Sequence, residues 1–154
     1  MKKLFVPLLL TVLTLSGCAS SSYPVFKLPL TPVPLIMKVD SRILAHLVVS
    51  VASGDYAKQA KKAGALTQSI VYYVPSSGPR AILMVVYEFP TKTFDKLQNP
   101  NQPPAFGQEV IRKNGEVFSI AGPQDSIFDP KSQDGKNVAT LYATMFKSST
   151  YSTK

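Results

Sequence analysis

The decisive stretch for the fold is TQSIVYYV-PSSGPR-AILMVVYEF, residues 67–89. Segments 67–74 and 81–89 are rich in β-branched and aromatic residues, and the connection at 75–80 has the proline and glycine content of a turn. The second segment is apolar at both alternations, with Ala81, Leu83, Val85, Tyr87 and Phe89 on one side and Ile82, Met84 and Val86 on the other. Such a strand is normally covered on both faces. We therefore expect it at the centre of an antiparallel sheet.

A second hairpin is predicted around Asn114-Gly115, because Asn-Gly favours a two-residue hairpin turn. The flanking segments are 107–113 and 116–121. A two-residue turn pairs Lys113 with Glu116, Ile111 with Phe118 and Glu109 with Ile120. Helices are predicted at 56–63, 91–97 and 136–147, the last with an apolar stripe of Val138, Leu141, Tyr142 and Met145. The fold class is thus α+β, with an antiparallel sheet of about four strands in two hairpins and flanking helices.

Three further segments carry weaker signals. Residues 41–52 (SRILAHLVVSVA) fit a helix with Ser41 as N-cap and Gly54 as C-cap, or a strand with Ile43, Ala45, Leu47, Val49 and Val51 on one side. We choose the helix and expect His46, the only histidine, to be a packing or surface residue. The aspartates of loop 122–135 suit Asx-type turns, with Ile127 and Phe128 plugging the loop onto the domain. Residues 148–154 are expected to fray.

The beginning of the chain has the layout of an export signal. Lys2 and Lys3 precede an uncharged apolar run at 4–15, which is shorter than the roughly 20 residues of a membrane-spanning helix. The run ends in Leu15-Ser16-Gly17-Cys18, which resembles the lipobox of bacterial lipoprotein signal peptides. The resemblance covers only this signal. It implies cleavage between Gly17 and Cys18 and a covalent lipid on the Cys18 thiol, with no other cofactor.

The same resemblance implies a location. Several acyl chains would hold the protein on a bacterial membrane almost permanently. Ala19 stands where an inner-membrane retention signal would have Asp, so we expect the outer membrane, facing the periplasm. The predicted organisation is a signal peptide at 1–17, a lipidated, proline-rich tether at 18–34 and a single globular domain at 35–154. Four prolines among 23–34 favour extended polyproline II for the tether, although its apolar residues also allow it to lie along the domain.

Charge suggests what the domain could bind. Removing Lys2 and Lys3 from the formal net charge of +8 leaves +6 for the mature chain. This balance allows attraction to an anionic envelope polymer or to lipid headgroups, and the one local cluster is Lys58, Lys61 and Lys62. The basic residues are otherwise scattered, which is also typical of an ordinary soluble surface. An exported location argues against nucleic acid as a partner.

Catalytic patterns are weak in this sequence. It has no GxSxG elbow, phosphate loop or HExxH pattern, and a single cysteine and histidine cannot build a zinc site, so no catalytic residue and no metal ligand is predicted. Two carboxylates such as Glu88 with Glu109 or Asp125 leave a carboxylate-based envelope hydrolase as the least favoured function.

The preferred function is a non-enzymatic binding or adaptor module of the cell envelope that contacts another protein. The expected binding surface combines aromatic residues with the basic cluster, namely Tyr72, Tyr73, Tyr87, Phe106, Lys58, Lys61 and Lys62. The alternative is a module that binds an anionic polymer. The sequence gives no indication of the oligomeric state.

Overall fold

The computed structural model describes residues 23–123 and 128–154, so the expected signal peptide and lipid site, including Gly17 and Cys18, lie outside the described residues. The described chain forms, in order, β1 (Val25–Pro29), β2 (Leu35–Asp40), α1 (Ser41–Leu44), β3 (Leu47–Val51), α2 (Gly54–Lys62), β4 (Thr67–Tyr73), β5 (Ala81–Pro90), α3 (Thr91–Leu97), β6 (Gln108–Lys113), β7 (Glu116–Ala121), α4 (Gln133–Met145), a 3-10 turn (Ser148–Thr150) and β8 (Tyr151–Thr153).

The strands make two antiparallel sheets in place of the single sheet we expected. A three-stranded sheet has the order β1-β2-β8, and a five-stranded sheet has the order β3-β4-β5-β7-β6. The α+β class is confirmed, but the prediction of one sheet of about four strands is wrong. Four strands, β1, β2, β3 and β8, were missing from that prediction.

β5 is the middle strand of the five-stranded sheet, as predicted, and both of its faces are buried. One face packs against the three-stranded sheet and α4, with Met84 and Val86 meeting residues such as Met37 and Leu141. The other face, which includes Phe89, packs against α2 and α3. A strand that is apolar at both alternations therefore separates two cores.

Two register shifts change which side chains share a face. Val71 pairs with Met84 but Tyr72 pairs with Ile82, so Leu83 is an extra residue and joins the same core as Met84. Our assignment of Leu83 to the opposite face is therefore wrong, because a bulge interrupts strict alternation.

The second shift lies in the β6-β7 hairpin, next to Val110. Lys113–Glu116 and Ile111–Phe118 pair as predicted, but Glu109 pairs with Ser119 and not with Ile120.

Residues 25–34, which we expected in a tether, belong to the folded domain. β1 pairs with β2 from Val25 opposite Asp40 to Pro29 opposite Ile36. Leu30 and Val33 in the following turn are fully buried, and the carbonyl of Leu30 accepts a hydrogen bond of 2.6 Å from the Ser69 hydroxyl. The prolines are compatible with this because Pro29 ends an edge strand and the others lie in or beside the turn, where missing N–H groups remove no interior ladder bond.

Residues 41–52 divide into a short helix and a strand, so our choice of one helix over the whole segment is wrong. Only Ser41–Leu44 is helical, and its N-cap is Asp40, whose carboxylate accepts a hydrogen bond of 2.9 Å from the Arg42 N–H, and not Ser41. Leu47–Val51 pairs with β4, and Gly54 begins α2 instead of ending a helix. The β-branched residues thus follow their strand propensity once β4 supplies a partner.

The end of the chain is ordered, contrary to our expectation of fraying. β8 pairs with β2, with Leu35 opposite Thr153 and Met37 opposite Tyr151. The Tyr151 hydroxyl donates a hydrogen bond of 2.6 Å to the Met145 carbonyl, and burial raises the pKa of Tyr151. This long-range pairing closes the three-stranded sheet.

The remaining helices agree with the prediction to within a few residues at each end. Val138, Leu141 and Met145 of α4 are buried, as its apolar stripe indicated. In loop 122–135, Asp129 makes an Asx turn by accepting from the Lys131 N–H at 2.9 Å. Phe128 packs edge-on against Tyr73 with 5.2 Å between ring centroids, whereas Asp125 and Ile127 lie outside the described residues.

Candidate functional site

The aromatic residues that we expected at a binding surface do not come together. Tyr73 is fully buried in the first core, and Tyr87 is buried in the second. Phe106 is half-buried, with ring centroids 5.4 Å from Tyr87 and 5.2 Å from Phe89. Tyr72 is partly covered by the Arg80 guanidinium, 4.2 Å above its ring. These aromatic residues therefore pack in the sheet and the two cores and do not form one binding surface.

Tyr73 instead connects β4 to α4 through a partly buried polar network. Its hydroxyl donates to the Asp134 carboxylate at 2.8 Å and accepts from the Asn137 amide at 3.1 Å. The same carboxylate accepts from the Ser76 N–H at 3.2 Å. Burial, and secondarily the hydrogen bond to Asp134, raises the pKa of Tyr73. The His46 ring stacks on the Tyr73 ring at 5.1 Å, and its Nδ1 lies 2.8 Å from the Val74 carbonyl.

The lysine cluster does form a single exposed surface. Lys58, Lys61 and Lys62 are exposed on α2, and their spacing places them on one side of the helix. The ammonium of Lys58 lies 3.6 Å from the Asp55 carboxylate, and both side chains are highly exposed. An exposed pair of this kind contributes little to stability. The cluster keeps a net positive charge.

The carboxylates considered for hydrolysis are not paired with one another. Glu88 is buried on β5 and accepts a short hydrogen bond of 2.5 Å from the Thr67 hydroxyl. Glu109 is held by Arg112, with the two charged groups 2.6 Å apart. β7 lies between the strands that carry these two acids. Asp125 lies outside the described residues.

A groove of about 570 Å³ runs beside the β6-β7 turn, and Arg112 is one of its lining residues. The positive charge of this arginine is neutralised by two carboxylates. Arg112 lies in this groove, 2.8 Å from the Asp95 carboxylate and 2.6 Å from that of Glu109. Hydrogen bonds to the Arg112 guanidinium lower the pKa of Asp95. Because two acids surround this arginine, the groove offers little uncompensated positive charge beyond Lys92 and Lys113.

The two edges of the five-stranded sheet differ more sharply than any of its grooves. The strand at one edge, β6, has the sequence QEVIRK and carries the Arg112 ion pairs. Charged residues on an edge strand disfavour pairing with another strand. The charges on β6 therefore disfavour pairing with another strand, and we call β6 the guarded edge.

The opposite edge, β3, has the sequence LVVSV and no charged residue. Val48 and Val51 are 40% and 67% exposed. Further exposed apolar residues lie at both ends of β4, its partner, namely Leu66 before the strand and Val74 after it. This apolar, uncharged strand is the most distinctive accessible feature among the described residues.

The backbone of β3 also presents hydrogen-bonding groups that face away from β4 and that no other described strand pairs. The Val74 N–H donates to the His46 carbonyl at 2.8 Å, which identifies 46 and 74 as a hydrogen-bonded pair. Antiparallel ladders alternate between hydrogen-bonded and non-hydrogen-bonded pairs, so 48 and 50 bond inward to β4. Leu47, Val49 and Val51 then direct their N–H and C=O groups away from the sheet. β3 is thus a ready template for another strand.

Sequence reasoning missed this site because it depends on strand order. The sequence shows that residues 43–54 carry no charge. It does not show that β3 has β4 as its one neighbour in the sheet, which is what makes this stretch an edge.

Comparisons with known proteins add no assignment. The chain matches no protein-family model, and neither curated proteins nor solved structures show significant similarity to it. Within 23–123 and 128–154 there is no group of three or more His, Cys, Asp or Glu side chains placed to hold a metal ion. Among the helices of these residues, none has the length and apolar character needed to cross a membrane.

Proposed function

We propose that this protein is a lipid-anchored adaptor of the bacterial cell envelope, non-enzymatic, that binds an extended segment of another envelope protein along β3. The observation that carries the proposal is the uncharged β3 edge, with its outward backbone groups and exposed Val48 and Val51. Of the aromatic residues that first suggested an adaptor, Tyr73 and Tyr87 are buried and Tyr72 and Phe106 are half-buried. β3 therefore replaces them as the proposed binding surface.

Strand addition explains how such an edge would bind. An incoming extended segment forms main-chain hydrogen bonds with the edge, and side chains at alternate positions provide specificity. Leu47, Val49 and Val51 offer three successive sets of outward backbone groups. The apolar side chains around them favour a segment with apolar residues on the matching face.

The proposed anchor is the lipid on Cys18, which would place the domain on the outer membrane, facing the periplasm. It is supported by the lipobox-like Leu15-Ser16-Gly17-Cys18. Acyl labelling of the full chain tests it. The Cys18→Ser variant should lose the label and remain unprocessed, and a variant that still takes up label would refute the anchor.

Binding at β3 is tested with a pair of proline variants. Val51→Pro removes an outward N–H at an exposed site, so it should keep the fold and lose the partner that co-purifies with wild type. Ser50→Pro removes an inward N–H that bonds to β4 and should lower the midpoint of thermal unfolding. Recovery of the same partner at wild-type levels with folded Val51→Pro would contradict binding along β3.

A second candidate function is binding of an anionic envelope polymer through α2. It is favoured by the exposed Lys58, Lys61 and Lys62 surface, in which only Lys58 forms an ion pair, with Asp55, among the residues that the structure describes. Retention on purified peptidoglycan should then fall as salt rises and should be lost when all three lysines become Gln. Retention that is indifferent to salt would exclude this candidate.

A further inference from the structure

The first strand of the domain exposes a run of apolar side chains. Tyr23, Val25 and Phe26 are 44%, 66% and 47% exposed. The Tyr23 ring is covered on one side by the Arg42 guanidinium, 3.6 Å from its centroid. These residues lie at the outer edge of the three-stranded sheet, on β1 and directly before it. Three of the nine exposed large apolar residues among those described therefore lie within four positions of the sequence.

The distance along the chain to the proposed anchor is short. Only residues 19–22 separate Cys18 from Tyr23. Even fully extended, this segment cannot place Tyr23 more than about 18 Å from Cys18. A polyproline II tether reaching residue 34 would have allowed about 50 Å. Because β1 is part of the folded domain, a lipid on Cys18 would keep this edge beside the bilayer.

Basic residues accompany the apolar ones. Lys27 on β1 pairs in register with Lys38 on β2, and neither is in an ion pair with the residues that the structure describes. Lys38 donates to the Ser149 carbonyl at 3.1 Å. The nearby Asp40 carboxylate is already held by Arg42, 2.7 Å away. The edge therefore keeps positive charge for an anionic surface.

We propose that Tyr23, Val25, Phe26, Lys27 and Lys38 form a membrane-contact surface that rests on the lipid bilayer carrying the anchor. This inference depends on the proposed lipid on Cys18. Tyrosine and other partly apolar side chains are favoured at the bilayer interface, and lysines near it are attracted to lipid phosphates.

This contact also orients the rest of the domain. The three-stranded sheet and α2 pack on opposite faces of the five-stranded sheet, so the helix that carries Lys58, Lys61 and Lys62 lies across the five-stranded sheet from the proposed membrane contact.

The test uses the full lipidated chain in vesicles of phosphatidylglycerol and phosphatidylethanolamine. Since the lipid would occupy Cys18, Phe26→Cys adds a single free thiol for an environment-sensitive fluorophore. Tyr56→Cys on α2 is the matched control, because Tyr56 is a similarly exposed aromatic residue on the opposite face. Nitroxide-labelled lipids should quench the fluorophore at position 26 several-fold more than the one at position 56.

Equal quenching at the two positions, in protein that floats with the vesicles, would overturn the membrane contact and leave the anchor intact. If the fluorophore instead labelled Cys18 of the wild type and the protein did not float with the vesicles, the lipid anchor itself would be absent. Charge is tested with Lys27→Gln and Lys38→Gln combined, which should reduce quenching at position 26. Unchanged quenching in that variant would overturn the role given to the lysines.

Discussion

β3 and β6 are the two edges of one five-stranded sheet, yet they present opposite surfaces. β6 is joined to its neighbour β7 by a two-residue turn and carries ions that face solvent. β3 is joined to β4 through α2, carries no charge and exposes two valines. Edge strands normally carry features that prevent association. The absence of such charges on β3 is the basis on which we propose it as a binding surface.

The guarded edge also depends on close backbone packing. Gly107, just before β6, has a φ of +78°, and a Cβ on it would lie 2.2 Å from the backbone carbonyl of Ile120. We therefore expect Gly107→Ala to cause the largest loss of stability, about 3 kcal/mol, because the start of β6 must move away from β7. Urea denaturation measures this loss.

Gly115→Ala is its control, since Gly115 also has a positive φ of +82° but no atom within 4 Å of the added Cβ. It should cost about 1 kcal/mol, from backbone strain alone. Equal losses in the two variants would show that β6 does not pack on β7 as described.

The uncharged edge strand β3 pairs with β4, where Tyr73 lies opposite Leu47. Tyr73→Phe should lower the free energy of unfolding by about 1–3 kcal/mol, because the buried amide of Asn137 and the half-buried carboxylate of Asp134 lose a hydrogen-bond partner. Because the pKa of Tyr73 is raised in the folded state, this tyrosine contributes stability below its ordinary pKa of about 10. That contribution is lost as pH rises through the raised pKa of the folded protein. The variant should therefore lose less stability above pH 10.

Tyr72→Phe is the matched control on the same strand, and it should leave stability nearly unchanged because its ring keeps the stacking contact with Arg80. If both variants lost the same stability, the network around Tyr73 would not contribute as described.

Placing a charge on β3 should convert the open edge into a guarded one. Val51→Lys should change the unfolding free energy by no more than about 0.5 kcal/mol, because the side chain is exposed. Recovery of the co-purifying partner should fall at least tenfold. Tyr56→Lys, which introduces the same charge on α2, should leave recovery unchanged. A partner that Val51→Lys retains in full would argue against docking on β3.

Loss of the ion pairs on β6 should change stability less than the glycine and Tyr73 substitutions above. The change should be largest near neutral pH. Arg112 lowers the pKa of Asp95, so the contribution of this pair is present above the ordinary carboxyl pKa of about 4 and is lost as pH falls through the lowered value. Arg112→Gln should lower the melting temperature slightly at pH 7, and the difference from wild type should vanish in acid. Lys92→Gln, in the same groove, should show no such pH dependence. A difference that persists at pH 2 would contradict this origin.

Local signals in the sequence predicted much of the five-stranded sheet. The alternation in 67–74 and 81–89 and the Asn-Gly turn predicted β4, β5, β6 and β7, because each hairpin pairs segments that are close in sequence. The bulges beside Leu83 and Val110 were not predictable from alternation, since each extra residue is accommodated by packing on both sides of the strand.

Some of the missing strands depend on distant partners. β2 pairs with β8 from the far end of the chain, so neither the apolar character of 25–40 nor the short sequence of 151–153 could reveal the three-stranded sheet. β1 pairs with β2, its neighbour in the sequence, but the prolines of 23–34 favoured a tether over a strand. The candidate site followed this pattern, because residues 47–51 become an edge only when the strand order is known.

The most direct test of the account is site-specific photocrosslinking in cells that express the full lipidated chain. A photoreactive phenylalanine at Val51 probes β3, and the same residue at Lys113 probes β6. We predict one dominant envelope protein crosslinked at position 51 and absent at position 113, identified by mass spectrometry. Equal crosslinking at both positions, no partner at position 51, or only a second copy of this chain would contradict the adaptor role of β3.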